Sequence, residues 1–278
     1  MPSSDLPRPD SVRLVVTDMD GTLLTPDNTV PEGLWPLLTT MHDAGIAFVP
    51  ASGRQHATIA SSFPAGRTPG HDDLVIIAEN GALVTRGEQV VSSDTLEPRV
   101  LVDAVQAVRG LADATSGGAV VAGARSAYVE RSDAAFVEHV STYYHRLEIV
   151  DDLTAVDDDV LKVAVYDDGH AEETTLPALV HLRATHQVVV SSGHWIDVMT
   201  PGVNKGVALR RLQADLGITP DETVAFGDYL NDVEMLQAAH WSYAMAGAHP
   251  QAAAHARFTA PSNAEHGVVQ VLQQLLGR

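Results

Sequence analysis

Apolar positions along this chain follow two rhythms, and their alternation predicts the architecture. Short β-branched runs read as strands: Leu14-Val15-Val16-Thr17, then residues 46–50, 74–78 and 223–226. After the first run comes a loop at 23–30. Pro31 then opens a predicted helix whose Leu34, Leu37, Leu38 and Met41 recur at helical spacing and which Gly45 stops. Ala51-Ser52-Gly53-Arg54 turns into a second helix. Beyond residue 200 the same pattern resumes: a helix over 204–215 closed by Gly217, the strand 223–226, a helix over 233–239, a strand over 241–245, and helices over 250–256 and 266–276. Repeated strand and helix predict an α/β fold with a mostly parallel sheet, whose ligands belong beyond the C-terminal strand ends.

The middle of the chain keeps a different rhythm. Helices over 96–113, 133–144 and 176–184 are interleaved with β segments at 118–129, 160–166, 187–191 and 195–199, the last two at hairpin distance. This predicts an α+β layer of sheet and helices. The expected organisation is therefore a core built from 11–84 and 200–278, an inserted domain at 85–199, and a loose polar tail at 1–10. Asp157-Asp158-Asp159 reads as a solvated loop, and no internal repeat is visible.

Charge and composition narrow the function. The 278 residues carry 36 acidic and 17 basic side chains, a formal net charge of -19, which argues against nucleic acid and anionic membrane as partners. A phosphate site here needs positive potential concentrated locally. With no cysteine there is neither disulfide nor thiolate chemistry, and the 13 histidines show no zinc-binding spacing. Apolar runs are strand-sized and the first ten residues hold no apolar signal core, so a cytoplasmic protein is expected. Only two lysines occur, Lys162 and Lys205, and each is a site candidate as well as ordinary surface charge.

Candidate chemistry begins at the end of the first strand, where Asp18 and Asp20 precede Gly21-Thr22. Two acids one residue apart at a strand end suit a divalent cation and phosphoryl chemistry, although a solvated turn has the same residues. The strand pattern places Ser52, Asn80 and Asp228 at three further strand ends, so that four motifs converge. Ser52-Gly53 before a helix is an anion site or simply an N-cap.

These residues resemble a known family, the haloacid dehalogenase-like phosphohydrolases, in particular the Cof-type branch with a large α/β cap. The resemblance runs through Asp18-Met19-Asp20-Gly21-Thr22-Leu23-Leu24, Ser52-Gly53-Arg54, Glu79-Asn80-Gly81-Ala82, Gly202-Val203-Asn204-Lys205-Gly206, Gly227-Asp228-Tyr229-Leu230-Asn231-Asp232 and Asn263-Ala264-Glu265-His266-Gly267-Val268. Ser52, Asn204 and Tyr229 depart from the commoner Thr, Ser and small or polar residue. The resemblance implies a Rossmann-like parallel-sheet core with an inserted α+β cap of the C2 type.

It also implies roles. Asp18 is the nucleophile that forms an aspartyl-phosphate, and Asp20 is the general acid and then base. Mg²⁺ is held by Asp18, the backbone carbonyl of Asp20, and Asp228. Thr22, Ser52, Gly53, Lys205 and Asn231 face the phosphate, with Asp232, Arg54 and Asn80 behind them. The cap supplies specificity, with Arg125, Tyr128, Arg131, Tyr143, His145, Lys162 and His194 as candidates; Tyr128 and Lys162, on apparent sheet segments, come first. The expected substrate is a small phosphorylated metabolite such as a sugar phosphate, flavin mononucleotide or pyridoxal phosphate. The alternatives are a phosphomutase, a phosphorylated receiver protein, and a non-catalytic protein that binds a phospho-ligand.

Overall fold

The computed structural model describes residues 11–111, 117–169 and 171–277; the tail expected at 1–10 and the last residues of the helix expected over 96–113 lie outside them. Fourteen strands among the described residues form two sheets. β1 (Leu14–Asp18), β2 (Ala47–Ala51), β3 (Val75–Ala78), β4 (Leu83–Arg86) and β5 (Gln89–Ser93) come first. β6 (Gly118–Gly123), β7 (Ala127–Val129), β8 (Leu147–Ile149), β9 (Val160–Tyr166), β10 (Gln187–Ser192) and β11 (Trp195–Met199) form the middle of the chain. β12 (Thr223–Gly227), β13 (Trp241–Met245) and β14 (Phe258–Ala260) complete it.

The larger sheet has the order β14-β13-β12-β1-β2-β3-β4-β5. Its members from β14 to β3 are parallel, with Leu14 opposite both Thr223 and Ala47. β1 explains its own apolar run, because all five residues are buried and successive side chains enter different cores. Val15 packs with Leu34, Leu37, Leu38 and Met41 of the helix Leu34–Asp43, while Leu14 and Val16 pack with Leu209 and Leu212 of the helix Lys205–Leu216. Gly45 and Gly217, where these helices stop, both have positive φ, at 70° and 61°.

The second sheet has the order β10-β11-β9-β6-β7-β8. It is antiparallel except for the β7–β8 pair. The helix Pro98–Arg109 covers one face through Val100, Leu101, Val105 and Val108, and the helix Ala134–Ser141 covers the other through Phe136 and Val140. The predicted α+β layer is therefore present.

Two expectations need correction. The insertion does not begin at residue 85, because β4 and β5 form a hairpin that pairs antiparallel with β3 and extends the larger sheet. The chain crosses between sheets after Ser93, and crosses back after Met199. As expected, the segment from Ala51 turns into a helix: residues 52–55 form a turn in which Ser52 Oγ accepts from the Arg54 amide at 3.1 Å, and the helix runs from His56. The helix expected over 176–184 is split into the short helix Leu176–Leu179 and a 3₁₀ turn over Val180–Ala184.

Candidate active site

β1 delivers Asp18 to the C-terminal edge of the larger sheet, where it is 5% exposed. Lys205 opens the next core helix, behind Asn204, whose side chain caps that helix by accepting from the Val207 amide at 2.8 Å. The cap fixes the helix start and so aims the ammonium: Lys205 Nζ lies 2.5 Å from Asp18 Oδ1 and 2.7 Å from Asp232 Oδ1. Asp232 Oδ2 accepts from the amides of Asp228 at 2.9 Å and Tyr229 at 3.1 Å, tying the 228–232 loop into a tight turn. Thr22, expected at the phosphate, donates its hydroxyl to Asp228 Oδ1 at 2.8 Å.

Carboxylate oxygens of Asp18, Asp228 and Asp232 all lie within 4.8 Å of one another. Gly21 permits this, because its φ is +75° and a Cβ there would stand 2.4 Å from Asp228 Oδ2. Burial, followed by the neighbouring Asp232, holds the Asp18 carboxyl well above the usual range despite Lys205. Burial and Asp232 likewise push Asp228 up to about 7. Burial opposes the charge on Lys205, but Asp18 and Asp232 more than compensate and raise its pKa. Two buried acids and a half-buried one around a single ammonium leave the cluster short of positive charge. A divalent cation with a preference for oxygen ligands corrects that shortage, so the residues fit Mg²⁺.

Asp20 stands apart from this group. Its carboxylate, 42% exposed, is held by one edge of Arg54: Nε donates to Oδ2 at 2.8 Å and Nη2 donates to Oδ1. Arg54 Nη2 also donates to Asn28 Oδ1 at 3.1 Å, and the guanidinium lies 5.1 Å from the centre of the Tyr143 ring.

The second sheet closes the site from above. A cavity of about 100 Å³ is lined by Asp18, Asp20, Ser52, Gly53, Arg54, Asp228, Tyr229 and Asn231 from the larger sheet's loops. Tyr143, Tyr144, Lys162, Ser191, Trp195 and Asp197 face them. Lys162 Nζ donates to the Gly53 carbonyl at 2.6 Å and pairs with Glu79 Oε2 at 3.0 Å and Asp197 Oδ1 at 3.2 Å. Asn80 donates to Asp197 Oδ2 at 2.5 Å and accepts from Asn231 Nδ2 at 2.9 Å, so it joins the two sheets rather than facing the cavity.

Of the seven cap candidates, only Tyr143 and Lys162 line the cavity. Tyr128 does not, and sheet register shows why. Tyr128 pairs with Val121, and Val121 with Val163, whereas Lys162 pairs with Ala122, so the two candidates sit on opposite faces. Tyr128 donates instead to Asp158 at 2.9 Å beside a separate groove. Arg125 and Arg131 pair with Asp158 and Asp133, His145 meets the core through its amide on Thr58, and His194 Nδ1 lies 3.0 Å from the Asp167 carbonyl. Tyr144, Ser191, Ser192, Trp195 and Asp197 were not anticipated. The 187–191 and 195–199 hairpin pattern puts Trp195 and Asp197 on one face, but nothing local shows that this face meets the core.

Comparison with known proteins identifies the family. The family model for haloacid dehalogenase-like hydrolases matches residues 15–272. The 5-amino-6-(5-phospho-D-ribitylamino)uracil phosphatase YbjI of Escherichia coli (strain K12) is 33% identical over 270 residues, covering 96% of this chain and 97% of that one. The HMP-PP phosphatase of Cronobacter sakazakii is 29% identical over 242 residues, 86% of each chain. Among solved structures, SMU.1108c from Streptococcus mutans UA159 superposes with a TM-score of 0.85 at 26% identity, covering 96% of this chain and 100% of that one. No helix among the described residues is long and apolar enough to cross a membrane. The chain belongs to the haloacid dehalogenase-like hydrolases and is a phosphatase.

Proposed function

We propose that this phosphatase hydrolyses small phosphomonoesters through a phosphoryl group carried by Asp18. One observation bears most of the weight: Asp18 lies at the floor of the cavity between the sheets, in contact with Lys205 and within one carboxylate group with Asp228 and Asp232. A carboxylate oxygen of Asp18 attacks phosphorus, forming an O–P bond as the bond to the leaving oxygen breaks. Asp20, once Arg54 releases one of its two oxygens to carry a proton, gives that proton to the leaving oxygen. Water then attacks the phosphoryl group, its proton returns to Asp20, and phosphate leaves with Asp18 restored. Lys205 neutralises the phosphoryl oxygens while staying charged, because two carboxylates hold it. Asp18, Asp228 and the backbone carbonyl of Asp20 would hold Mg²⁺, which offsets the repulsion between acids and phosphate.

For the leaving group, we favour a flat ring joined to a polyhydroxyl chain. Tyr143, Tyr144 and Trp195 supply apolar ring surface, Ser191 and Ser192 supply hydroxyls, and the relative at 33% identity is named for a phosphoribitylamino-uracil. The test is phosphate release from a panel containing 5-amino-6-(5-phospho-D-ribitylamino)uracil, sugar phosphates and p-nitrophenyl phosphate, with and without EDTA. Release that is strongest for the first compound and abolished by the chelator is expected. Phosphate retained and returned to the sugar points instead to a mutase, and full activity in EDTA defeats the metal assignment.

A further inference from the structure

The 228–232 loop, which carries two of the clustered acids, is not confined to its own sheet's core. Its tip, Tyr229 and Leu230, packs against the cap's hydrophobic cluster, which includes Val188 and Val190 of β10 and Ile196 and Val198 of β11. β10 lies directly against the 3₁₀ turn Leu230–Asp232. On its other side, the Tyr229 ring meets the His249 ring edge-on at 5.4 Å, and the His249 amide donates to the Asp228 carbonyl at 2.8 Å. A second, polar connection runs from the same loop to the cap: Asn231 donates to Asn80, and Asn80 donates to Asp197 on β11.

We propose that Tyr229 and Leu230 make the metal-binding loop a joint part of both domains, so that Mg²⁺ affinity and cap docking are thermodynamically coupled. The inference rests on the metal assignment above. Its physical basis is simple. Asp228 and Asp232 belong to a five-residue turn whose shape is set by the Asp232 side chain on two backbone amides. Withdrawing the cap exposes the two apolar side chains between those acids and removes the support on that side of the turn. A loop free to leave its bound shape presents its carboxylates less often in one geometry, and apparent affinity falls by that fraction. Linkage then requires the reverse effect, in which bound Mg²⁺ tightens the docking of β10 and β11. Tyr229 and Leu230 are positioning residues; their side chains offer the ion no carboxylate.

The test measures Mg²⁺ binding alone, by calorimetry without substrate, and amide hydrogen exchange of the 187–199 hairpin with and without Mg²⁺. Tyr229→Ala should bind Mg²⁺ about 5- to 20-fold more weakly, within the usual span of coupling between two sites. Tyr229→Phe, which keeps the ring, should bind within about twofold of the wild type, and Mg²⁺ should slow exchange in the hairpin of both but not of Tyr229→Ala. Should Tyr229→Ala fail to fold, Leu230→Ala carries the same expectation. Unchanged Mg²⁺ affinity in the alanine variant, or an unchanged hairpin on Mg²⁺ binding in the wild type, overturns the inference while leaving the proposed reaction intact. A wild-type protein that does not bind Mg²⁺ at all overturns both.

Discussion

Lys205 and Lys162 are both buried between two carboxylates, one 0% and the other 2% exposed. The Lys205 cluster is built by one domain, from the end of β1, the head of a core helix and the 228–232 loop. The Lys162 cluster exists only where the sheets meet, since Lys162 and Asp197 lie on cap strands while Glu79 and the Gly53 carbonyl belong to the core. In each, two acids outnumber one ammonium. At Lys205 a further acid, Asp228, makes the shortage worse, which suits a metal. At Lys162 burial pushes the Glu79 carboxyl up, and its Oε1 has no hydrogen-bond partner among the described residues, which suits a proton. On the proposed reaction, similar ionic arrangements serve catalysis in one place and domain docking in the other.

The largest effects belong to the catalytic cluster. Asp18→Asn should bring phosphate release below detection, because an amide is a poor nucleophile. Asp20→Asn should lose about 10²–10⁴-fold in kcat, the range for general acid-base assistance, and less with p-nitrophenyl phosphate, whose leaving group needs little protonation. Rapid quench with mass spectrometry should find the phosphoryl group on Asp18. Phosphate found on another residue, or normal turnover in Asp18→Asn, assigns both acids to the metal or the fold.

Exchanging the lysines separates the two clusters directly. Lys205→Met and Lys162→Met each strand buried carboxylates and should each cost about 3–5 kcal/mol in urea denaturation. Mg²⁺ should return part of the loss in Lys205→Met, where a cation can enter the acid group, and none in Lys162→Met. Equal recovery in both variants erases the distinction drawn here.

Much of the catalytic cluster was legible in the sequence because it lies at the ends of strands that announce themselves. β1, the helix at Leu34–Asp43 and the glycines that stop its neighbours follow from periodicity, and parallel order then brings Asp18, Ser52, Asn80 and Asp228 to one edge. The seam was less legible. Lys162 stood out by rarity and by its place on an apparent strand, and Tyr128 was misplaced because a one-residue difference in register changes the face of a sheet. Asp197 gave no local signal, and Glu79 stood in the Glu79-Asn80-Gly81-Ala82 motif without a role, since what both do depends on which faces two separately folded layers present to each other. The end of β4 and all of β5 fell within the expected insertion because a hairpin at a sheet edge has the same local pattern in either domain.

Magnesium should also reveal the acid cluster through pH. Without metal, the folded-state pKa of Asp228 is raised from 3.8 to about 7. A raised carboxyl gives stability that is fully present below its unfolded value and lost as pH climbs through the folded one. The metal-free protein should therefore lose this contribution between about pH 4 and pH 7. Mg²⁺ favours the ionised form, so its gain in melting temperature should be larger at pH 8 than at pH 5. A gain independent of pH contradicts the assignment of Asp228 as a ligand.

The smallest expected effect tests the proton at the seam. Burial raises Glu79 above its ordinary value of 4.5, with Lys162 pulling against it. The sign is the same as for Asp228: the contribution is complete below 4.5 and disappears as pH rises through the folded value. Glu79→Gln keeps the shape and the neutral state but cannot ionise. Measured in saturating Mg²⁺, which should silence the acids around Lys205, wild-type stability should fall relative to Glu79→Gln across that interval by about 1.4 kcal/mol for each pKa unit separating the two states. Because Glu79 meets Lys162 across the seam, hairpin exchange at 187–199 should quicken over the same interval in the wild type alone. Parallel stability curves for the two proteins would mean that Lys162 keeps Glu79 ionised throughout, and that the seam is held by charge in the same way as the catalytic cluster.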